Sequence, residues 1–257
     1  MNRGTILKAA SILAGAALSV EEARAAPAYP VVELRQYTLH EGKRDVLIDL
    51  FERNFIEPQE AEGMKIIGTF RDLDHPNRFV WLRGFTDMKK RVSGLTNFYG
   101  GPVWKGHREA ANATMIDSDN VLLLHAPSDA AGFEPMARRP ELREARSKGL
   151  IIATIYPLRS SPEEARELFE DKVKPRLSTA GVHVLAWFIP ETAANNFPRL
   201  PVREGERVLV WFARFEDEAD RLAHLNVVSS ATKALDPLVE GEPQVLRLQP
   251  TERSELR

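Results

Sequence analysis

Between Val31 and Leu39 the chain reads VVELRQYTL, a β-branched and apolar run that predicts a strand. Leu47, Leu50, Phe51 and Phe55 then recur at i, i+3, i+4 and i+8, the stripe of an amphipathic helix, and Pro58 is expected to end it. Gly63 marks a turn into a second strand through Phe70, and Phe79–Asp87 supplies a third. A second helix is expected from about Asp87, and Val121–Leu124 closes the series as a short apolar strand.

The pattern then repeats. Leu150–Leu158 aligns with Val31–Leu39 and puts Tyr156 where Tyr37 stands. Ser161-Pro162-Glu163-Glu164 is a helix-capping box with proline at the first helical position, and Ala165, Leu168, Phe169, Val173 and Leu177 form the apolar stripe behind it. Gly181–Phe188 matches Gly63–Phe70, and Leu209–Asp217 matches Phe79–Asp87, with Trp211 over Trp81. A loop at 190–206, rich in Pro, Asn and Ala, lengthens the second copy, and Val245–Leu248 closes it. Each half reads β-α-β-β-α-β, the ferredoxin-like split βαβ unit. In such a unit the helices cover one sheet face and leave the other bare. The fold class expected is therefore α+β: two tandem units packing sheet to sheet within one chain as a pseudo-dimer of the dimeric α/β-barrel type, with further homo-oligomerisation left open.

The N-terminal segment carries a different signal. Arg3 and Lys8 precede an apolar run, residues 9–20, that is too short to span a bilayer, and Ala23-Arg24-Ala25 follows as a small-x-small cleavage site. Residues 1–25 are read as a signal peptide resembling a degraded twin-arginine type, with Gly4 in place of the second arginine. The protein is expected to be exported, periplasmic or secreted, with no membrane span after processing. The domain plan is then 1–25 signal peptide, 30–126 first domain, 127–149 linker, 150–250 second domain and 251–257 tail.

Several chemistries are excluded by composition. Of 257 residues, 35 are basic and 37 acidic, and no basic stripe forms, so nucleic acid is not an expected partner. Without cysteine there is no disulfide, thiolate catalysis or Cys-ligated metal. No P-loop, nucleophile elbow or dinucleotide fingerprint is present. None of the six histidines stands four residues from another, so no helical two-His site can be drawn, and neither a metal nor a cofactor is expected.

The residues Glu33-Leu34-Arg35-Gln36-Tyr37, Phe55-Ile56-Glu57-Pro58, Gly63, Phe79-Val80-Trp81-Leu82-Arg83 and Phe98-Tyr99-Gly100-Gly101-Pro102-Val103-Trp104 resemble the NIPSNAP family, over residues 30–126. The second half shares the pattern but has Thr154 in place of Arg35 and nothing like Tyr99–Pro102. The resemblance implies the fold. It implies no reaction, because proteins of this barrel type include cofactor-free monooxygenases, haem-degrading enzymes, lyases and stress proteins.

The candidate ligand-binding residues are Arg35, Tyr37, Tyr99, Trp104, His107 and Arg108. The segment 98–108 gathers aromatics, a break at Gly100-Gly101-Pro102, a histidine and two cations, and only the first half has it. Glu33, Arg35 and Tyr37 alternate on one strand face, where charge is costly unless paired or used. If that face looks between the sheets, Arg35 is placed to bind an anionic or enolate-like group. Two functions stay in view: a small-molecule protein that binds or transforms a small apolar or aromatic compound in a first-half pocket, or a non-catalytic interaction or stress-related scaffold.

Overall fold

The computed structural model describes Met1 and residues 29–134, 138–142 and 147–257. The segment read from the sequence as a signal peptide, residues 1–25, therefore lies outside the described residues, apart from Met1. The first run comprises β1 (Val31–Leu39), α1 (Arg44–Asn54), α2 (Ile56–Ala61), β2 (Lys65–Asp72), β3 (Arg78–Phe85), α3 (Met88–Gly100), α4 (Pro102–Asn112), β4 (Met115–Asp117) and β5 (Val121–His125). The second comprises β6 (Leu150–Pro157), α5 (Pro162–Leu168), a π-turn (Phe169–Val173), α6 (Lys174–Thr179), β7 (His183–Pro190), β8 (Val208–Phe215), α7 (Glu218–Thr232), a 3-10 turn (Lys233–Leu238) and β9 (Gln244–Pro250).

Local chemistry accounts for the element ends. Asp87 caps α3 by accepting from the Lys90 amide at 2.7 Å, and Asp217 caps α7 through the Asp220 amide at 2.9 Å. Gly63 and Gly181 both take positive φ, +80° and +84°, the left-handed conformation that turns a helix end into the next strand at no steric cost. Pro58 does not end the first helix as expected. The break falls at Phe55, and Pro58 sits in the first turn of α2, where its missing N–H has no intrahelical partner to lose.

The strands close into one antiparallel barrel, β3-β2-β9-β6-β8-β7-β5-β1, with β1 returning to β3 and β4 added at the far end of β1. The two halves thus do more than face each other across an interior. They also join edge to edge, β2 to β9 (Phe70↔Pro250, Arg71↔Gln249, Asp72↔Leu248) and β5 to β7 (Leu124↔Pro190, His125↔Ile189). Closure leaves no exposed edge in the barrel. The internal registers of the halves agree: Arg35 lies opposite Trp81 and Val121, as Thr154 lies opposite Trp211 and Val245.

Alternation sorts the side chains. Val32 and Leu34 point into the barrel with Val80, Leu82, Phe188 and Phe212, while Val31, Tyr37 and Leu39 point outward to the helices. Apolar side chains pack the interior. Phe133, from the expected linker, enters it against Phe188 and Phe212, with ring centroids 5.3 and 5.1 Å away. The expected tail is also docked: Thr251 and Leu256 donate backbone hydrogen bonds to Thr69 and Ile67, and Glu52 accepts from Thr251 at 2.5 Å.

Candidate functional site

The odd-numbered residues of β1 face the helix layer and not the space between the sheets, which corrects one premise of the sequence reading. Glu33 and Arg35 are accordingly buried beneath α1–α4, at 0 % and 1 % exposure. An isolated charge there would be prohibitively costly, so its partners decide whether it persists. Glu33 Oε2 takes Arg83 at 2.5 Å and Arg35 at 2.8 Å, while Oε1 takes Arg91 Nε at 2.9 Å. Arg91 Nη2 lies 2.8 Å from the same oxygen but outside hydrogen-bond geometry. Arg83 also donates to Gln59 at 2.8 Å. Burial pushes the Glu33 carboxyl upward, and the guanidinium groups of Arg83, Arg35 and Arg91 outweigh it, holding the carboxyl well below the usual carboxylate range.

Three guanidiniums around one carboxylate leave two positive charges uncompensated within this cluster. The excess points toward aromatic groups. Arg35 donates Nε to the Tyr37 hydroxyl at 3.0 Å, and its guanidinium carbon lies 5.4 Å from the Tyr37 and Trp81 ring centroids. Burial raises the Tyr37 pKa, against the pull of Arg35, so Tyr37 remains a neutral phenol. Trp81 Nε1 is buried without an acceptor. Above these groups lies a cavity of about 30 Å³ lined by Tyr37, Phe55, Trp81, Phe98, Tyr99 and Trp104. It has room for a water-sized guest and falls far short of a typical ligand site.

The structure thus brings together four of the six sequence-predicted residues: Arg35 beneath the cavity, and Tyr37, Tyr99 and Trp104 around it. The His107 ring packs on Phe55 at 6.1 Å on half-exposed α4, and Arg108 is exposed beyond it. With α4 in place, the space lined by Tyr37, Tyr99 and Trp104, about 30 Å³, is smaller than a first-half ligand pocket requires. α4 nevertheless sits lightly, with Ala111 its one buried residue and Gly100-Gly101-Pro102 as its joint to α3.

Sequence reasoning missed Arg83, Arg91 and Gln59. Arg83 was readable in principle, since it stands directly across the β1–β3 ladder from Glu33. Arg91 carried no such signal, because its second set of partners arrives from the other half of the chain. Asn195 and Asn196, in the 190–206 loop, accept from Arg91 Nη1 at 3.0 and 2.7 Å, and Phe197 stacks on Tyr99 with centroids 6.1 Å apart. Among the described residues no group of acidic or histidine side chains is arranged to hold a metal ion, and no helix is long and apolar enough to cross a membrane.

Fold and site together define an α+β barrel protein with ferredoxin-like strand order and a buried polar cluster between one sheet face and its helices. Residues 32–128 match the family model described as NIPSNAP. No curated protein matches the chain. Among solved structures it is similar to a candidate monooxygenase from Fusobacterium nucleatum, with 12% identity and TM-score 0.58 over 89% of this chain and 96% of that one. A candidate monooxygenase from Lactobacillus acidophilus matches with 15% identity and TM-score 0.54 over 86% and 94%. An anthrone oxidase-like protein matches with 12% identity and TM-score 0.53 over 86% and 91%. Identities this low show the fold.

Proposed function

We propose that this is an exported protein whose NIPSNAP domain binds a small aromatic molecule bearing an acidic group. The observation that carries the reading is the buried excess of guanidinium charge beside an aromatic cavity. An anionic group placed against Arg35 and the Tyr37 hydroxyl would offset that excess with charge-assisted hydrogen bonds, and Tyr99 and Trp104 would stack on the ring. α4 serves as the lid, moving about Gly100-Gly101 to enlarge the cavity. The same cations would favour the enolate of an enolisable aromatic ketone, chemistry in keeping with the monooxygenase and anthrone-oxidase names of the fold relatives. Export rests on the tripartite pattern of residues 1–25. The matched registers support a tandem origin in which the second half keeps the frame and loses the cations.

Native mass spectrometry of protein recovered from its own host tests this reading. The expected species begins at Ala26 and carries a small acidic aromatic adduct, and calorimetry with 2-naphthoate as probe gives saturable binding. Arg35→Met should weaken that binding roughly 10- to 150-fold, the range for losing one charge-assisted bond. An intact Met1 on the soluble protein removes the export reading. The filled barrel interior favours the alternative, a non-catalytic interaction scaffold, and absence of both adduct and naphthoate binding would leave that alternative standing.

A further inference from the structure

The second half carries the same frame with different chemistry. Opposite Trp211, where the first half has Arg35 against Trp81, stands Thr154. Ile152 and Ala213 occupy the ladder positions of Glu33 and Arg83. Every charge of the first-half cluster that lies on these strands has been exchanged for an apolar or hydroxyl side chain. The cover differs as well. In the first half α3 is followed by α4, whose Trp104 and Ala111 line what space remains. In the second half α7 runs directly into the six-residue 3-10 turn, with no counterpart of α4.

The result is a groove of about 340 Å³ between α7 and the β6–β9 side of the sheet. Its floor is Ile152, Thr154, Tyr156 and Trp211, and its walls include Val228 of α7 and Val245 of β9. The volume lies at the lower end of the usual range for small-molecule sites. Leu225 and Val245 stand 41 % and 49 % exposed at its mouth, where apolar side chains are poorly placed unless something covers them. The neighbouring charges answer one another: Arg221 and Arg247 both pair with Glu218, and Arg247 also pairs with Asp74. Two cations and two anions leave no net charge there, and the exposed Glu242 at the mouth would repel an anion. At the floor, Trp211 has its buried indole Nε1 without a well-aligned hydrogen-bond partner in the protein.

We propose that this groove is a second binding site, for a neutral, largely apolar small molecule carrying one hydroxyl or carbonyl acceptor. It is opposite in charge preference to the first-half site and independent of it.

Calorimetric titration of the full-length protein with 2-naphthol and 2-naphthoate, two probes sharing one ring system, separates the sites. The expected result is one saturable 2-naphthol site that is weakened at least about tenfold, a difference well resolved in dissociation constant, by Ser229→Trp, which fills the groove from an exposed position. Val245→Glu, also at an exposed position, should weaken it similarly by charging the mouth. Arg35→Met should leave 2-naphthol binding unchanged while reducing 2-naphthoate binding, so either site can fail without the other. The proposal is overturned if 2-naphthol shows no saturable binding, or if both groove variants bind it as tightly as the unmodified protein does. Sedimentation showing that the protein self-associates through this face, and that Ser229→Trp disperses it, would assign the groove to a second copy and likewise overturn the proposal.

Discussion

At the scale of single residues, Glu33 and Arg35 form an ion pair and yet have opposite expected sensitivities. Removing Arg35 leaves Glu33 with Arg83 at 2.5 Å and Arg91 at 2.9 Å, and it lowers the cationic excess. Removing the Glu33 charge leaves three buried guanidiniums with no carboxylate. Breaking a buried ionic cluster so that charge is left uncompensated costs about 3–5 kcal/mol, whereas loss of Arg35 leaves Glu33 still paired with two guanidiniums. Denaturant unfolding should therefore show Glu33→Gln strongly destabilised and Arg35→Met changed by less than about 1 kcal/mol. Equal loss in both would mean that Arg35 is a structural member of the cluster and not a surplus one. The pH dependence follows from the same pairing. A carboxyl depressed in the folded state stabilises fully above its unfolded value of 4.5, and the contribution is lost as pH falls through the folded-state value, well below the ordinary range. Glu33→Gln should flatten that part of the acid limb.

At the scale of elements, the 190–206 loop explains why the second half is longer than the first. Its extra residues are spent on the other half: Asn195 and Asn196 on Arg91, Asn196 on the Met88 carbonyl at 2.6 Å, and Phe197 on Tyr99. Asn196→Ala removes one bond to a buried charge and one to a helix N-terminus. The expected cost is about 1–3 kcal/mol, the range for leaving a buried polar or charged donor unpaired. Limited proteolysis should then cut first within 190–206. If stability and cleavage pattern stay as before, the loop merely rests on α3.

At the scale of the whole molecule, closure of the barrel makes the halves interdependent. Each lays its inward-facing strand residues, such as Leu82 or Phe212, against the other's, and each lends an edge strand to the other at the β2–β9 and β5–β7 joints. Residues 30–126 produced alone would expose both an apolar sheet face and two unpaired edges, conditions that favour association. Sedimentation of that fragment should show aggregates or a dimer that rebuilds the barrel with a second copy. A well-behaved monomer would contradict this.

The strands, their order, the capping aspartates and the turn glycines could be read from the sequence because they depend on local signals: period-two alternation, Asp at a helix start, Gly where φ must be positive. The aromatic segment 98–108 and the odd-numbered face of β1 were likewise visible as chemistry. Which way that face points was not, since alternation defines two faces without saying which one meets the helices. Neither the union of Glu33 with Arg83 and Arg91 nor the reach of Asn195 and Asn196 across the chain leaves a local trace. The filling of the first-half cavity and the opening of the second-half groove depend on whether a helix equivalent to α4 lies over the sheet. These were decided by packing, because volume and burial are properties of elements brought together and not of any segment alone.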